Sequence, residues 1–149
     1  MPKRLHRLIY TSRASGDSSL QEILVASIAW NKNHDITGGL VCVEGTYLQY
    51  LEGEGAAVDQ VFAMISRDQR HCGLKVLEHR SVQRRMFIDW SMAVLDWNDE
   101  TRAIFQSFSP GQRIDLYATD PTTAAPLFRA WVATRHWKTG AITAESRTC

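Results

Sequence analysis

The sequence predicts an α+β fold of the ferredoxin-like type, with the order β-α-β-β-α-β(β), two helices on one face of the sheet and a C-terminal helical extension. Two observations predict it. Segments with strand-like alternation and segments with helical spacing follow one another in this order through residues 1–97. In addition, both helical segments carry a single apolar stripe, so that each has one side that must pack against a sheet.

The first half of this order is a strand, a helix and a hairpin. Leu5–Thr11 alternates like a strand, and the polar loop after it ends in good helix-capping residues. A helix is predicted from about residue 19 to about residue 32, because its apolar residues recur at helical spacing. The short turn Glu44-Gly45 joins the strands Leu40–Val43 and Tyr47–Leu51, which predicts a hairpin. The apolar stripe of the helix consists of Leu20, Ile23, Leu24 and Ile28.

The second half completes the sheet. A helix is predicted over about residues 56–67, and two further strands are predicted over Lys75–His79 and Trp90–Leu95. A basic connection, Gln83-Arg84-Arg85, lies between these strands. The inward positions of the second helix are Val58, Val61, Phe62 and Ile65.

Residues 98–149 are predicted to form a helical cap followed by a flexible tail. One helix is expected to begin at Asn98-Asp99-Glu100 and to end near Pro110-Gly111. Another begins at Asp120-Pro121, where aspartate caps the helix and proline occupies the first turn. We expect both helices to cover the sheet face that the first two helices leave open. The alternative is that they present apolar residues to a second protein.

Composition excludes several classes of function. The chain has 149 residues and a formal net charge of +1, so there is no electrostatic basis for binding nucleic acid or an anionic membrane. Its apolar stretches are far too short to span a bilayer, and its N-terminus lacks the apolar core of a signal peptide. Cys42, Cys72 and Cys149 show no CxxC spacing, which favours a reduced, cytoplasmic location. The histidine and cysteine spacings match no standard metal site.

Gln49 is the most informative residue of the predicted third strand. It lies on the same face as Tyr47 and Leu51, among large apolar side chains. Burying an amide without partners costs about 1–3 kcal/mol, and rotating the amide exchanges its donor for its acceptor. These properties suit a hydrogen-bond switch. The alternative, which this segment leaves open, is a glutamine at a strand edge that faces water.

Asn31 ends the apolar stripe of the first helix. Eleven residues separate it from Leu20, which returns its side chain to nearly the same direction. It is either a C-terminal cap of the helix or an amide aimed at a polar ligand between the two helices. In the second interpretation Tyr10, Asn31 and Gln49 would converge on that ligand. Tyr10 by itself is equally well explained as a core tyrosine whose hydroxyl bonds to the backbone.

Five motifs occur in a characteristic order along the chain. They are Leu-Ile-Tyr-Thr-Ser at 8–12, Asn31 five residues before Ile36-Thr37-Gly38, Tyr-Leu-Gln-Tyr-Leu-Glu-Gly at 47–53, Asp68-Gln69-Arg70-His71, and Arg85-Met86-Phe87-Ile88-Asp89-Trp90-Ser91-Met92. Together they resemble the BLUF domain, and the resemblance extends over about residues 4–97. It implies a ferredoxin-like blue-light photoreceptor that binds FAD noncovalently, is not an enzyme and passes its signal to a partner protein.

The resemblance also implies roles for individual residues. Tyr10 would donate an electron and a proton to the excited flavin, and Gln49 would bridge Tyr10 and the N5/O4 edge of the flavin. After light the hydrogen bonds of Gln49 would rearrange, and absorption would shift slightly to the red. Asn31 would bond the flavin ring near O4 and N3. The other positions carried over are Ser12 at the end of the first strand, Trp90 and Met92 as the relay on the last strand, and Arg70 and His71 near the ribityl-phosphate end.

The surroundings of this predicted site agree with a flat aromatic ligand. Apolar side chains of the two helices would wall the faces of the flavin ring. The family usually carries Arg-Asn or Asn-Asn where this chain has Trp30-Asn31, so a contact of the replaced polar residue would fall to Lys32 or Asn33. The main alternative function is a non-photoactive, colourless interaction domain of the same fold. A homodimer through the open sheet face or the tail helices is a further expectation. The predicted wall residues are Ile23, Leu24, Ile28 and Phe62.

Overall fold

Strands and helices follow one another in the predicted order. A computed structural model describes residues 4–15, 20–69, 71–111 and 113–139, and for residues 20–26 it describes the backbone alone. A short 3₁₀ turn also lies at Leu116–Ala118. Strands β1 to β6 are Leu5–Ala14, Thr37–Val43, Thr46–Glu54, His71–Val82, Ala93–Leu95 and Trp137–Lys138, and helices α1 to α4 are Leu20–Asn33, Gly55–Arg67, Asp99–Phe108 and Pro121–Val132.

The strands form one sheet in the order β4-β1-β3-β2-β5-β6. Strand β1 runs antiparallel to both of its neighbours, β3 and β4. Strand β2 is antiparallel to β3 and parallel to β5. The turn residues Glu44 and Gly45 have φ angles of 47° and 77°, and positive φ at both positions is typical of the type I′ turn that closes tight hairpins. The ferredoxin-like fold class and the hairpin are therefore confirmed.

The boundaries of all five predicted strands differ from the structure: β1, β2 and β3 each extend three residues beyond one predicted end, and β4 and β5 differ as follows. The strand predicted over Lys75–His79 extends over the whole of β4, because β1 pairs with it from end to end through two register shifts. Such shifts break the alternation by which a strand is recognised in a sequence. The strand predicted over Trp90–Leu95 begins only at Ala93. In the loop before it, the backbone N–H groups of Met86 and Phe87 bond to a side chain rather than to a neighbouring strand.

The sheet separates two hydrophobic cores, because side chains alternate between its faces. Helices α1 and α2 pack on one face and α3 and α4 on the other. The helix-face core contains Leu8, Tyr10, Ile36, Leu40, Tyr47, Leu51, Val58, Val61, Met92 and Val94. The tail-face core includes Ile9, Val41, Leu48, Tyr50, Phe87, Phe105, Leu116, Phe128 and Trp131.

Helices α3 and α4 begin where the sequence predicts. Asn98 caps α3 through a reciprocal pair of hydrogen bonds with Thr101, and Asp120 caps α4 just before a proline. The indole N–H of Trp131 donates to the carbonyl of Thr101 at 3.0 Å and so joins the two helices. They cover the sheet face that α1 and α2 leave open.

Two statements about the tail remain predictions. One is the boundary between a domain of residues 1–97 and a cap that begins at residue 98, since residues from both sides share the tail-face core. The other is the flexible tail, because residues 140–149 lie outside the described part of the chain. Over the ranges that the structure describes, none of the helices has the length and apolar content needed to cross a membrane.

Replacing Phe128 by alanine tests whether the tail is part of the same cooperative unit as the sheet. Phe128 is fully buried, and its ring centroid lies 5.4 Å from that of Tyr50 on β3. We expect Phe128→Ala to lower the free energy of unfolding by about 3–5 kcal/mol. In the control Val76→Ala the truncated residue is 44% exposed, so the free energy of unfolding should change by no more than about 0.5 kcal/mol. Urea denaturation measures both. A second transition, or a loss below about 1 kcal/mol, would contradict the shared core.

Candidate functional site

The centre of the site is a pair of polar side chains on adjacent strands. Tyr10 of β1 lies opposite Gln49 of β3 in the antiparallel register. Directly opposite residues point to the same face of the sheet, and both side chains are only 4% exposed. The hydroxyl of Tyr10 donates a hydrogen bond to Oε1 of Gln49. Gln49 therefore faces the protein interior, and the interpretation of it as a water-facing edge residue is wrong.

The other end of the Gln49 amide has a weaker partner. Its Nε2 donates to the sulfur of Met92 at 3.6 Å. A thioether sulfur is a poor acceptor compared with a carbonyl oxygen. The amide thus has one strong contact, to Tyr10, and one weak contact that it can give up at low cost.

Asn31 carries an unpaired polar atom. It lies near the end of α1 and is 1% exposed. Its Nδ2 donates to the backbone carbonyl of Ser91 at 3.2 Å. Its Oδ1 is buried and has no hydrogen-bond partner among the described residues. Because an unsatisfied buried acceptor costs about 1–3 kcal/mol, this oxygen is the natural place for a ligand to donate a hydrogen bond.

Asn31 and Gln49 border the same cavity, which lies between α1 and α2. Its volume is about 470 Å³, within the range of pockets that hold small organic ligands. Apolar side chains of α2 and β3 form most of its wall, and polar groups occur at a few positions. The lining residues are Ser27, Trp30, Asn31, Gln49, Leu51, Val61, Met64, Ile65, Arg67 and Asp68.

The environment of Tyr10 keeps its hydroxyl protonated. Burial raises the pKa of Tyr10 well above its ordinary value of 10.0, and the nearby Asp68 carboxylate and Tyr47 raise it further. Tyr10 is therefore a neutral hydrogen-bond donor across the physiological pH range. Removing its proton requires either strong base or prior loss of an electron from the ring.

Ser12 and His71 form a second hydrogen-bonded group beside Tyr10. The Oγ of Ser12 lies 2.8 Å from Nδ1 of His71, and Nε2 of His71 lies 2.8 Å from the carbonyl of Ile65. Since a carbonyl only accepts, Nε2 carries a proton, and in the neutral ring Nδ1 accepts from Ser12. His71 thus links β1 to the end of α2.

The structure separates the two relay candidates of the last strand. Met92 lies in the helix-face core and contacts Gln49. Trp90 lies in the preceding loop, packs on the tail-face core and donates its indole N–H to the carbonyl of Gly38 at 3.1 Å. Of these two, only Met92 is brought to the amide pair.

The remaining predicted site residues fall into two groups. Ile28 and Phe62 are partly buried and pack against the helix-face core. Ile23 and Leu24 lie on α1 where side chains are outside the described part, and Arg70 lies outside the described residues altogether.

Several lining residues were not predicted as site residues. The apolar stripe of α2 predicts Val61 and Ile65 as inward positions, and the structure places both on the cavity wall. Ser27 and Arg67 carry no such signal, because a polar residue at a helix surface looks the same whether it faces water or a cavity mouth, whereas Asp68 opens the fourth of the five motifs described above. No group of three or more potential metal ligands comes together in the part of the chain that the structure describes.

Comparison with known proteins gives a consistent result. A protein-family model described as BLUF, sensors of blue-light using FAD, matches residues 5–93. The alpha subunit of the photoactivated adenylate cyclase of Euglena gracilis is 29% identical over 114 residues, which are 74% of this chain and 11% of that protein. The beta subunit of the Euglena longa enzyme is 30% identical over 93 residues, 59% of this chain and again 11% of the relative. The match therefore spans only about a tenth of the length of these curated relatives.

Solved structures show the same fold over most of the chain. The dark-state structure of BlrB, a BLUF protein, has a TM-score of 0.73 and 27% identity, and the match covers 89% of this chain and 98% of that one. A bacterial light-regulated adenylyl cyclase has a TM-score of 0.63 and 31% identity, over 70% of this chain and 34% of the cyclase. The BlsA ground state has a TM-score of 0.82 at 23% identity, covering 93% of this chain and 95% of BlsA, which is a likeness of fold.

Alkaline titration tests the environment of Tyr10. Because its folded pKa is raised, the stability that neutral Tyr10 contributes is fully present below about pH 10 and is lost as the pH rises toward the folded pKa. Up to the pH at which circular dichroism shows unfolding, wild type and Tyr10→Phe should develop the same ultraviolet absorbance of tyrosinate. A smaller amplitude in Tyr10→Phe would mean that Tyr10 ionises like an ordinary tyrosine.

Proposed function

The chain belongs to the BLUF family, sensors of blue light using FAD, and on that premise we propose that Tyr10 and Gln49 are its photoactive pair and that Asn31 holds the chromophore. The observation that carries the proposal is the arrangement of these three side chains. A hydrogen-bonded Tyr10–Gln49 pair lies beside a cavity that is bordered by an unpaired Asn31 oxygen.

The cavity suits the flavin ring of FAD chemically. The ring is flat and apolar on both faces, and its polar atoms are confined to one edge, where N3–H is a hydrogen-bond donor. Apolar walls from α2 and β3 suit the faces, and the buried Oδ1 of Asn31 is an acceptor that has no partner among the residues the structure describes. Gln49 can offer either its oxygen or its nitrogen to the same edge.

The photochemistry we propose uses the Tyr10–Gln49 pair. When bound, FAD supplies the absorption of blue light and an excited state that accepts an electron. Tyr10 loses one electron and releases its hydroxyl proton toward Oε1 of Gln49, its hydrogen-bond partner. Gln49 then rearranges its amide by rotation or tautomerisation and gives up the weak contact to Met92. The electron and the proton then return to Tyr10, so that the shifted state differs from the dark state only in the hydrogen bonds of Gln49, and in the dark the amide returns to its first arrangement.

The red shift follows from the new hydrogen bonds of Gln49. If the rearranged amide bonds more strongly to a flavin carbonyl, it stabilises the excited state more than the ground state. The absorption band then moves slightly to longer wavelength. Met92 takes part as the group that Gln49 leaves, whereas Trp90 lies on the tail face.

Other contacts to the chromophore belong to the same proposal. Ser12 and His71 support the pair from the end of α2. Arg67 lines the cavity, and we assign it to the phosphate end of FAD. This assignment is in addition to Arg70, whose role there is implied by the resemblance. We also propose that Ile23, Leu24 and Ile28 of α1 pack against a face of the flavin ring.

We assign sensing, and no enzymatic reaction, to this chain. The cyclase activity named for the Euglena relatives belongs to proteins of which the matched stretch is only 11%. The signal is then passed to a partner protein in the cytoplasm. Since α3 and α4 already cover the tail face of the sheet, a homodimer would use the outer surface of these helices rather than the sheet itself.

The absorption spectrum before and after blue light tests the proposed function. The purified protein should be yellow, and its flavin band should move slightly to the red on illumination and return in the dark. A yellow protein without a shift would contradict the photoactive pair. A colourless protein that takes up no added FAD would instead support the interaction-domain alternative.

Tyr10→Phe separates photochemistry from chromophore binding. The variant removes only the hydroxyl, so FAD should stay bound while the light-induced shift is lost. Tyr50→Phe is the matched control, because Tyr50 is equally buried, follows Gln49 on β3 and points to the opposite face. Absorbance after gel filtration measures bound FAD, and light-minus-dark difference spectra measure the shift. A normal shift in Tyr10→Phe would refute the role of Tyr10.

Asn31→Ala tests the role of the unpaired oxygen. Losing a buried hydrogen bond to the flavin should cost about 1–3 kcal/mol, which weakens FAD binding about 5- to 150-fold. Gln106→Ala, which removes an exposed amide of α3 outside the cavity lining, should bind FAD as the wild type does. Titration of the flavin-free proteins with FAD gives both dissociation constants. Equal affinities in the two variants would count against Asn31 as a chromophore ligand.

A further inference from the structure

Glu52 is a buried carboxylate to which the proposed photochemistry gives no role. It lies on β3, the strand of Gln49, and is fully shielded from solvent. Because side chains alternate along a strand, Glu52 points to the face opposite Gln49. A carboxylate in such a place is retained only when several donors satisfy it.

The donors come mainly from the loop of residues 83–92, which connects β4 to β5. Oε1 of Glu52 accepts from the backbone N–H of Met86 at 2.7 Å, and Oε2 accepts from that of Phe87 at 2.6 Å. The hydroxyl of Thr37 on β2 also donates to Oε2, at 3.0 Å. One side chain of β3 thus fixes two consecutive peptide units of the loop.

The same loop supplies partners to both amides of the cavity. The carbonyl of Ser91 accepts from Asn31, and Met92, just before β5, accepts from Gln49 through its sulfur. These two partners lie on the helix face, whereas Phe87 packs in the tail-face core. The loop therefore passes from one face to the other, with Glu52 at its tail-face end and the cavity amides at its helix-face end.

The hydrogen bonds at the two ends of this loop differ in strength. The bonds at Glu52 go to carboxyl oxygens at 2.6–3.0 Å, whereas the contact between Gln49 and Met92, at 3.6 Å, uses a weak sulfur acceptor. When the Gln49 amide rearranges, the weak contact is the one to break, and the loop remains attached to β3. The sulfur then stays in place for the return of the amide.

We propose that Glu52 is a positioning residue of the photocycle, which holds the loop of residues 83–92 against β3 so that the Met92 sulfur remains within reach of Gln49. This inference rests on the proposed function. It adds that the thermal return of the amide depends on a carboxylate that lines no part of the cavity.

The test compares the rate of dark recovery in FAD-loaded variants. Glu52→Gln replaces one acceptor oxygen by a donor that faces a backbone N–H, whereas Met92→Ala removes the sulfur directly. We expect each to change the recovery rate at least about threefold in the same direction, and the double variant to change it no further, as for residues that act through one contact. Additive effects would overturn the proposal, as would wild-type recovery in folded Glu52→Gln.

Asn98→Ala is the control for loss of stability. Asn98 caps α3, and its capping hydrogen bonds go to Thr101 rather than to the loop or to Glu52, so removing this cap lowers stability at a site remote from the loop. We expect this variant to recover at the wild-type rate. If it recovers as Glu52→Gln does, the effect reflects general destabilisation and the proposal fails.

A second readout needs no photochemistry. In the flavin-free protein the methyl NMR signal of Met92, assigned by its loss in Met92→Ala, should move in Glu52→Gln and stay in place in Asn98→Ala. An unmoved signal would overturn the proposal even if the wild type proved photoactive. If the signal moves in a protein that shows no red shift, Glu52 still positions Met92, and only the proposed photocycle is refuted.

If Glu52→Gln does not fold, Thr37→Val provides a second test of the same proposal. It removes one of the three donors to the carboxylate and leaves the two backbone bonds in place. The recovery rate and the Met92 signal should then change in the same direction by a smaller amount. Wild-type values for both would overturn the proposal.

Discussion

The antiparallel register of β1 and β3 is the constraint on which the site depends. It places Tyr10 directly opposite Gln49, so that both side chains point to the helix face and can bond to each other. A slip of one residue would turn every side chain of one strand to the other face. The phenol and the amide would then lie on opposite sides of the sheet. Burial of Leu8 and Leu51 on the same face opposes such a slip, because it would expose them.

The two cores have different tasks. The tail-face core is filled by large aromatic side chains such as Phe87, Phe128 and Trp131, which pack against one another on that face of the sheet. On the helix face the packing is interrupted by a cavity of about 470 Å³ between α1 and α2. Under the proposed function this space is the chromophore site, walled mainly by apolar side chains of α2 and β3.

The polar groups of the cavity are graded in strength. The Tyr10 phenol is a firm donor, since burial raises its pKa and keeps its proton in place. The Met92 sulfur is a weak acceptor, and Oδ1 of Asn31 has no partner among the described residues. An amide between a firm and a weak partner has one contact that holds it and another that it can exchange. The hydrogen-bond switch that we propose for Gln49 uses this combination.

Local periodicity in the sequence determined the fold class, the faces of Tyr10 and Gln49, and the position of Asn31 at the end of the α1 stripe, because each depends on residues close along the chain. Only the tertiary structure decided that Met92 rather than Trp90 meets Gln49, that β5 begins at Ala93, and that Arg67 borders the cavity. These features follow from contacts between distant segments. The most important are the hydrogen bonds that Glu52 accepts from Met86 and Phe87, which lie 34 and 35 positions further along the chain. Alternation carries no information about an irregular loop, since its course is set by the partners of its backbone and not by its own pattern.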